Sequence, residues 1–466
     1  MLSLAATQDY FPDDAPRIKA GFGEADFHGE TMLHPLGLLA LLTLGAWLLV
    51  CRRRSAILPF LVMTSFVAVS QRIVIAGLDF NLLRALAVAG TVRLLVRSEW
   101  RGLRITPADW AILAWISASS FAYVALRGPS ALVFQLGVAF DVLSAYVLLR
   151  CWIRDRRDVD AVLSWLPWLA ILSAPLFARE LTSGQNMFSV FGGANPITMV
   201  REGRVRCQGP FVHPILAGCY WATLLPLIGI TWWRPRTSRP VTLMGVGAAL
   251  FIIVASASST PIFAAAASVG AAMMFVVRRY MGVIRASVVA GLVGLHLVMK
   301  APVWHLIARV GAAGGSTAYH RYRLIDCAIR NFNEWAVLGT RSTAHWGHQM
   351  FDLTNQYVKE GVRGGLLGLV LFVTTIYYGF RNVGFLVRRS GRHAYSLAMS
   401  WGLGCTLFTQ CVMFIGISIT HAKQNYFVWF LVLAMINSVA ASERALARRT
   451  RPVRRRVAQP WTPRVA

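Results

Sequence analysis

The chain of 466 residues is 56% hydrophobic and 14% charged, with 47 Lys and Arg against 20 Asp and Glu, a formal net charge of +27. A soluble globular chain is about 25% charged; the deficit here coincides with long apolar runs such as Leu36 to Val50 and Gly364 to Tyr378, which exclude a soluble enzyme, a disordered chain and a secreted disulfide scaffold. The basic residues lie between those runs and not on one domain face, so the charge does not indicate a nucleic-acid partner, and the chain reads as an all-α polytopic membrane protein.

Residues 1–33 form a polar, acidic tail that includes Asp9, Asp13, Asp14, Glu24, Asp26 and Glu30. No basic segment followed by an apolar one opens it, so no cleavable signal peptide is expected. About thirteen stretches of the length that crosses a hydrocarbon core follow within residues 34–441. They are 34–51, 56–76, 80–97, 107–126, 129–150, 160–178, 213–233, 240–258, 261–277, 283–300, 363–380, 395–416 and 424–441. The expected fold is thus about 12–13 transmembrane helices with two large outer loops, 179–212 and 301–362. Residues 442–466 form a basic cytoplasmic tail containing Arg454, Arg455 and Arg456.

Charge orients these spans. With the N-terminus outside, the inward segments are 51–55, 97–104, 150–157, 234–239, 278–285, 381–392 and the final tail, and each is rich in arginine, as cytoplasmic loops are. The short segments between them, around 76–80, 127–129, 256–261 and 417–423, carry few basic residues. The two large outer loops break the pattern. The first holds Arg179, Arg201, Arg204 and Arg206; the second holds Arg309, Arg321, Arg323, Arg330, Arg341 and Lys359. Long loops translocate largely regardless of charge, yet guanidinium forks match phosphate oxygens, so an anion is the expected ligand. Most histidines, among them His28, His34, His213, His305, His320 and His421, fall on this same face, where imidazole can act as a base near neutral pH. Cys207 and Cys327 lie one in each loop, and an oxidising exterior permits a bridge between them. No Cys/His spacing resembles a zinc site, and no cofactor is expected.

In the first loop, Arg204 to Pro214 ends in Gly209, Pro210 and Pro214, which favour a turn at the membrane surface that lets Arg206 and His213 face one ligand. In the second, Tyr319–Phe332 reads as an amphipathic helix, with Leu324, Ile325, Ala328 and Ile329 as its apolar stripe, able to lie in the interface and present Arg323 and Arg330 to a headgroup. A polar loop, 339–348, brings His345 and His348, and Asp352, Asn355 and Glu360 follow at the mouth of the next span. Trp335, Trp346 and Tyr357 suit interface anchors better than sugar platforms. Gly361 with Gly365, and Gly364 with Gly368, give the small-xxx-small spacing of close helix packing and no chemistry.

Together the two loops resemble the O-antigen ligase and polysaccharide polymerase family of bacterial membrane glycosyltransferases. The first matching block runs from Arg206-Cys-Gln-Gly-Pro-Phe-Val-His-Pro through Gly218 to Leu224-Leu-Pro226. The second comprises Arg321-Tyr-Arg-Leu324, Ala328, Leu338-Gly339, Thr354-Asn-Gln-Tyr-Val358 and Gly364-Gly-Leu-Leu-Gly368. The likeness covers about residues 200–370. Where the family commonly has a His-Asn pair the chain has Thr354-Asn355, and where it often has Ser-Arg-Gly the chain has Ser258-Ser-Thr-Pro261.

The resemblance implies a fold similar to the GT-C type. It also implies metal-independent transfer of a glycan from undecaprenyl diphosphate to an acceptor sugar hydroxyl at the periplasmic face of the bacterial inner membrane. Polymerisation of lipid-linked repeat units is the expected reaction, and ligation to lipid A core the alternative. Membrane lipid and export-assembly proteins are the other partners it implies. Charge stabilisation of the leaving diphosphate falls to Arg206, Arg321 and Arg323, with Arg204, His213, Asn355 and Glu360 completing substrate binding. The base that takes the acceptor proton is expected among His345, His348 and Asp352. A transporter of an anionic lipid-linked glycan is the competing class; its marks are charges inside the spans, for which Arg72, Arg84, Arg93 and Asp141 are the candidates.

Overall fold

The computed structural model of the chain describes residues 31–68, 71–75, 78–236, 238–310, 317–391, 393–420 and 422–449. Most of the acidic tail, His28, His421 and the basic residues after 449 lie outside the described residues. The first half comprises α1 (Pro35–Val50), α2 (Leu58–Phe66), a hairpin of β1 (Arg72–Ile75) and β2 (Leu78–Asn81), α3 (Leu82–Val96), α4 (Pro107–Arg127), α5 (Leu132–Trp152), α6 (Arg156–Leu163) and α7 (Leu166–Ser183). A second hairpin, β3 (Met199–Arg201) and β4 (Arg204–Arg206), leads into α8 (Pro214–Ile230), α9 (Arg239–Ala255), α10 (Ser259–Met273) and α11 (Met281–Val298). The large loop contains α12 (Leu306–Val310), α13 (Thr317–Arg330) and α14 (Phe332–Trp335), and the chain closes with α15 (Gln356–Arg389), α16 (Ala394–Met413) and α17 (Lys423–Arg449).

Each of the expected spans carries a helix, but among the described residues seven are long and apolar enough to cross a membrane: α4, α5, α6 with α7, α8, α11, α15 and α17. The others fall short for local reasons. α1, α9 and α10 are shorter apolar helices, and α3 carries Arg84 and Arg93. In α16, Gln410 and several Ser, Thr and Gly residues dilute the apolar character. The stretch 56–76 differs most: α2 has 9 residues, a rise of about 14 Å, because Gln71 and Arg72 end the apolar run and the β-branched Ile73-Val74-Ile75 enters a hairpin.

α17 is the hub. Of its apolar window 94% is buried, consistent with a helix that is hydrophobic all round. α11 is its opposite, with no buried residue. Several charges within the bundle are paired: Asp141 of α5 accepts from Arg84 of α3 at 2.6 Å and from Lys423 of α17 at 2.5 Å, and Arg93 meets Glu99 at 2.8 Å.

α15 breaks at Gly365, whose φ of 67° is outside the helical range. The large loop is stitched to the break: Leu366 N–H donates to the Ala336 carbonyl at 2.8 Å, and Thr340 N–H to the Val362 carbonyl at 2.7 Å. A side chain at Gly365 would collide with the Val337 carbonyl. Gly364 and Gly368 face Ser119 of α4 and Gly361 faces Trp335, so the small residues serve close packing.

The loop has its own small core of Leu324, Ala328, Trp335, Trp346, Met350 and Val362. This corrects two expectations. The apolar stripe of α13 packs into the loop through Leu324 and Ala328, while Ile329 is exposed. Trp335 and Trp346 are buried, their indole N–H groups donating to the Ala328 carbonyl and Glu334; neither anchors the chain in an interface. Tyr357 is packed too, its hydroxyl donating to the Cys411 carbonyl at 3.0 Å.

A cationic cavity at the converging helix ends

The C-terminal ends of α4 and α16 and the N-terminal ends of α8 and α15 converge with the large loop around a cavity of about 470 Å³. Charge alternation assigns all four ends to one face. Both loops singled out in the sequence contribute to its wall.

The first loop is positioned by a tight hairpin. Glu202 and Gly203 both have positive φ, 52° and 72°, as a two-residue turn of the primed type requires; Met199 pairs with Arg206 across the ladder. Beyond the hairpin the chain is held by Glu180 of α7, a fully buried carboxylate that accepts the N–H groups of Gln208 at 2.9 Å and Gly209 at 3.0 Å. Gly209 has φ 56° and packs directly on the Phe177 ring, leaving no room for a side chain. His213 then caps α8, its Nδ1 accepting from Ile215 N–H at 3.2 Å, and Pro214 opens the helix, where its missing N–H costs nothing.

Arg206, 5% exposed, donates from Nη2 to Ser258 Oγ at 2.6 Å. Its Nε is buried without a partner. Arg321 of α13 donates from Nη2 to Thr260 Oγ1 at 2.6 Å. Neither guanidinium forms an ion pair with a described carboxylate. Burial lowers the pKa of both, with the charge of Arg201 adding to the effect at Arg206. Two desolvated cations without counter-charge are costly to maintain, and an anion in the cavity relieves that cost. The Oγ atoms of Thr354 and Ser418, which also line the cavity, are buried and unpartnered as well.

Three residues in the wall carry a carboxyl or imidazole side chain, Asp352, His320 and His213. Asp352 has its pKa raised by burial, which outweighs the opposing charges of His320 and Lys359. His320 Nε2 bonds to the Asp352 main-chain carbonyl at 3.2 Å. Burial, with the charges of Arg206 and Arg201, pushes His213 down to about 4, so its ring is neutral at physiological pH.

Of the sequence-selected residues, the cavity brings together Arg206, His213, Arg321 and Asp352. The rest lie elsewhere. His345 is exposed and its Nε2 faces Glu334 at 2.9 Å; His348 and Arg204 are exposed outside the wall. Arg323 lies beside Gly347. Asn355 caps α15 by accepting Val358 N–H. Glu360 is turned into the bundle, where it accepts from Trp115 at 2.8 Å and Gln356 at 2.6 Å. Cys207 and Cys327 are unlinked thiols whose sulfurs approach different carbonyls, those of Phe177 and Trp346. Arg201, His320, Arg341 and Lys359, noted in the sequence only among the charges and imidazoles of the outer face, join the wall, as do Arg127 and Arg363, which were not singled out; the signal for Arg363 is its i,i+4 spacing from Lys359 at the start of α15. No protein-family model matches the chain, and no curated protein matches it significantly.

Proposed function

We propose that the chain is a membrane glycosyltransferase that polymerises lipid-linked polysaccharide repeat units. In this reading it acts at the outer face of the bacterial inner membrane, with undecaprenyl diphosphate as the donor's leaving group. The observation that carries the reading is the pair of guanidiniums without an ion pair to a described carboxylate, the buried Arg206 and the half-buried Arg321, brought from two distant loops into one cavity. Fixed donors in a desolvated site suit charge that builds on a departing diphosphate.

The acceptor hydroxyl attacks the anomeric carbon, the bond from that carbon to the diphosphate oxygen breaks, and the hydroxyl proton passes to a base. Asp352 is the member of the expected base set in the cavity wall, and burial draws its pKa towards the operating range of a base. Arg206 and Arg321 hold the leaving diphosphate. His213, neutral and committed through Nδ1 to capping α8, shapes the wall and takes no proton. The charges a transporter would use within its spans are instead engaged in pairs, Arg84 and Lys423 with Asp141, and Arg93 with Glu99.

The test is to replace Arg206→Ala and Arg321→Ala separately and to resolve surface polysaccharide by length. Loss of long chains with accumulation of lipid-linked single repeats is the expected result. Full-length free polymer that fails only to attach identifies a ligase. Unchanged polysaccharide at normal protein level overturns the reading.

A further inference from the structure

The cavity holds more positive charge than a diphosphate needs. Arg206 and Arg321 are tied to the start of α10 through Ser258 and Thr260. A second cationic group, built from Arg127, Arg341 and Arg363, is tied to the end of α4. Arg127 donates from Nη2 to the Arg341 carbonyl at 2.9 Å, and Arg341 Nε donates to the Leu126 carbonyl at 3.0 Å, so each guanidinium is held by the other's backbone segment. The buried Tyr123 ring carries Arg127 at 4.1 Å and Arg363 at 5.4 Å. Neither Arg127 nor Arg341 forms an ion pair with a described carboxylate, and Arg127 Nη1 is buried without a hydrogen-bond acceptor.

Capping the end of α4 accounts for Arg341 Nε, and holding the loop carbonyl of Arg341 accounts for Arg127 Nη2. Neither accounts for two like charges gathered at one ring with a third held beside them, or for Nη1 of Arg127, which has no hydrogen-bond acceptor. A diphosphate diester carries about two negative charges, which the buried Arg206 and the half-buried Arg321 meet. Asp352 is the one carboxylate among the described wall residues. A neutral sugar would be met by aromatic faces and amides, yet Phe351 is the only Phe, Tyr or Trp of that wall. Planar guanidinium forks match a carboxylate bidentately.

We infer that the glycan handled here is acidic: a carboxylate borne on a sugar ring, as in a uronic acid, binds at Arg127, Arg341 and Arg363 while the diphosphate occupies Arg206 and Arg321. This rests on the glycosyltransferase reading and names its substrate class.

The experiment uses the full chain in phosphatidylcholine nanodiscs, with calorimetric titration of three probes: inorganic pyrophosphate, tri-galacturonate and neutral maltotriose. Tri-galacturonate is expected to bind and maltotriose to bind at least about tenfold more weakly. The double variant Arg127→Gln, Arg341→Gln is expected to weaken tri-galacturonate about tenfold or more and leave pyrophosphate unchanged. Arg206→Gln does the reverse. Arg127→Lys, which keeps the charge and loses the fork, weakens tri-galacturonate alone and guards against a folding defect in the double variant. Equal binding of maltotriose, absence of tri-galacturonate binding where pyrophosphate binds, or tri-galacturonate binding that responds only to Arg206→Gln overturns the inference. Pyrophosphate binding indifferent to Arg206→Gln overturns the diphosphate site itself, a separate failure.

Discussion

Ser258 and Thr260, two residues apart at the start of α10, each hold one guanidinium of the cavity: Ser258 Oγ that of Arg206 and Thr260 Oγ1 that of Arg321, both at 2.6 Å. Residues from two loops more than a hundred positions apart in the chain therefore share one short positioning segment. The segment Ser258-Ser-Thr-Pro261 lacks an arginine of its own, and its hydroxyls instead aim arginines supplied from elsewhere.

Removing either hydroxyl should loosen its guanidinium without removing charge. Ser258→Ala and Thr260→Val are each expected to weaken pyrophosphate binding about fivefold, the worth of one hydrogen bond of about 1 kcal/mol. Titration of the purified variants checks this, and an unchanged affinity in both would show that the arginines are aimed by packing alone.

Glu180 anchors the turn after Arg206. Glu180→Ala leaves two buried N–H groups without an acceptor, so the unfolding temperature in detergent should drop in proportion to about 1–3 kcal/mol for each orphaned group. Glu180→Gln retains one acceptor oxygen and should lose less. Equal stability of the two variants would refute the anchor.

The cavity's titrating groups separate by pH. With its pKa raised by burial, Asp352 as base makes the transfer rate rise with pH through a midpoint above about 4, the ordinary Asp value, and Asp352→Asn should abolish that limb. His213 acts on stability. Its folded pKa, about 4, lies below its unfolded value of about 6.5, so the unfolded chain binds more protons between the two and stability is lost as pH falls from about 6.5 towards 4. Thermal melts across that window should show a step that His213→Asn, which keeps the cap, removes.

Asp141 balances two cations inside the bundle. Asp141→Asn leaves Arg84 and Lys423 facing each other without counter-charge and should cost about 3–5 kcal/mol, read as loss of the monodisperse peak in detergent. A variant as stable as the wild type would mean that water reaches the site.

Helix positions were largely legible because apolar runs are long and arginine marks their ends; Arg97, Arg150 and Arg234 each lie at or just beyond a helix end. Helix lengths were less so. A run such as 56–76 is apolar in both helix and hairpin, and only Gln71 and Arg72 hint at the change. In the site, Arg206, His213, Arg321 and Asp352 could be found because they flank turn residues or sit in a short polar stretch. His345 and Glu360 misled for opposite reasons. One satisfies a neighbouring Glu334 at the surface, and the other is carried round α15 by helical phase to Trp115. Arg127 ends a span and looked like an ordinary boundary residue; only the tertiary closeness of residue 341 reveals its place in the wall.

The stitching of the loop to the break in α15 makes a closed ring of the chain. Main-chain bonds at 336–366 and 340–362 join its two ends, so the intervening residues hang from a fixed clasp and not from two independent tethers. A single nick within the exposed part of that ring, near His345 or His348, would leave the clasp fastened and both fragments in place. The same cut beside Gly339 or Gly365 falls between the two bonds and would leave the ring that carries Arg341 closed by the 340–362 bond alone, loosening its seat at the end of α4.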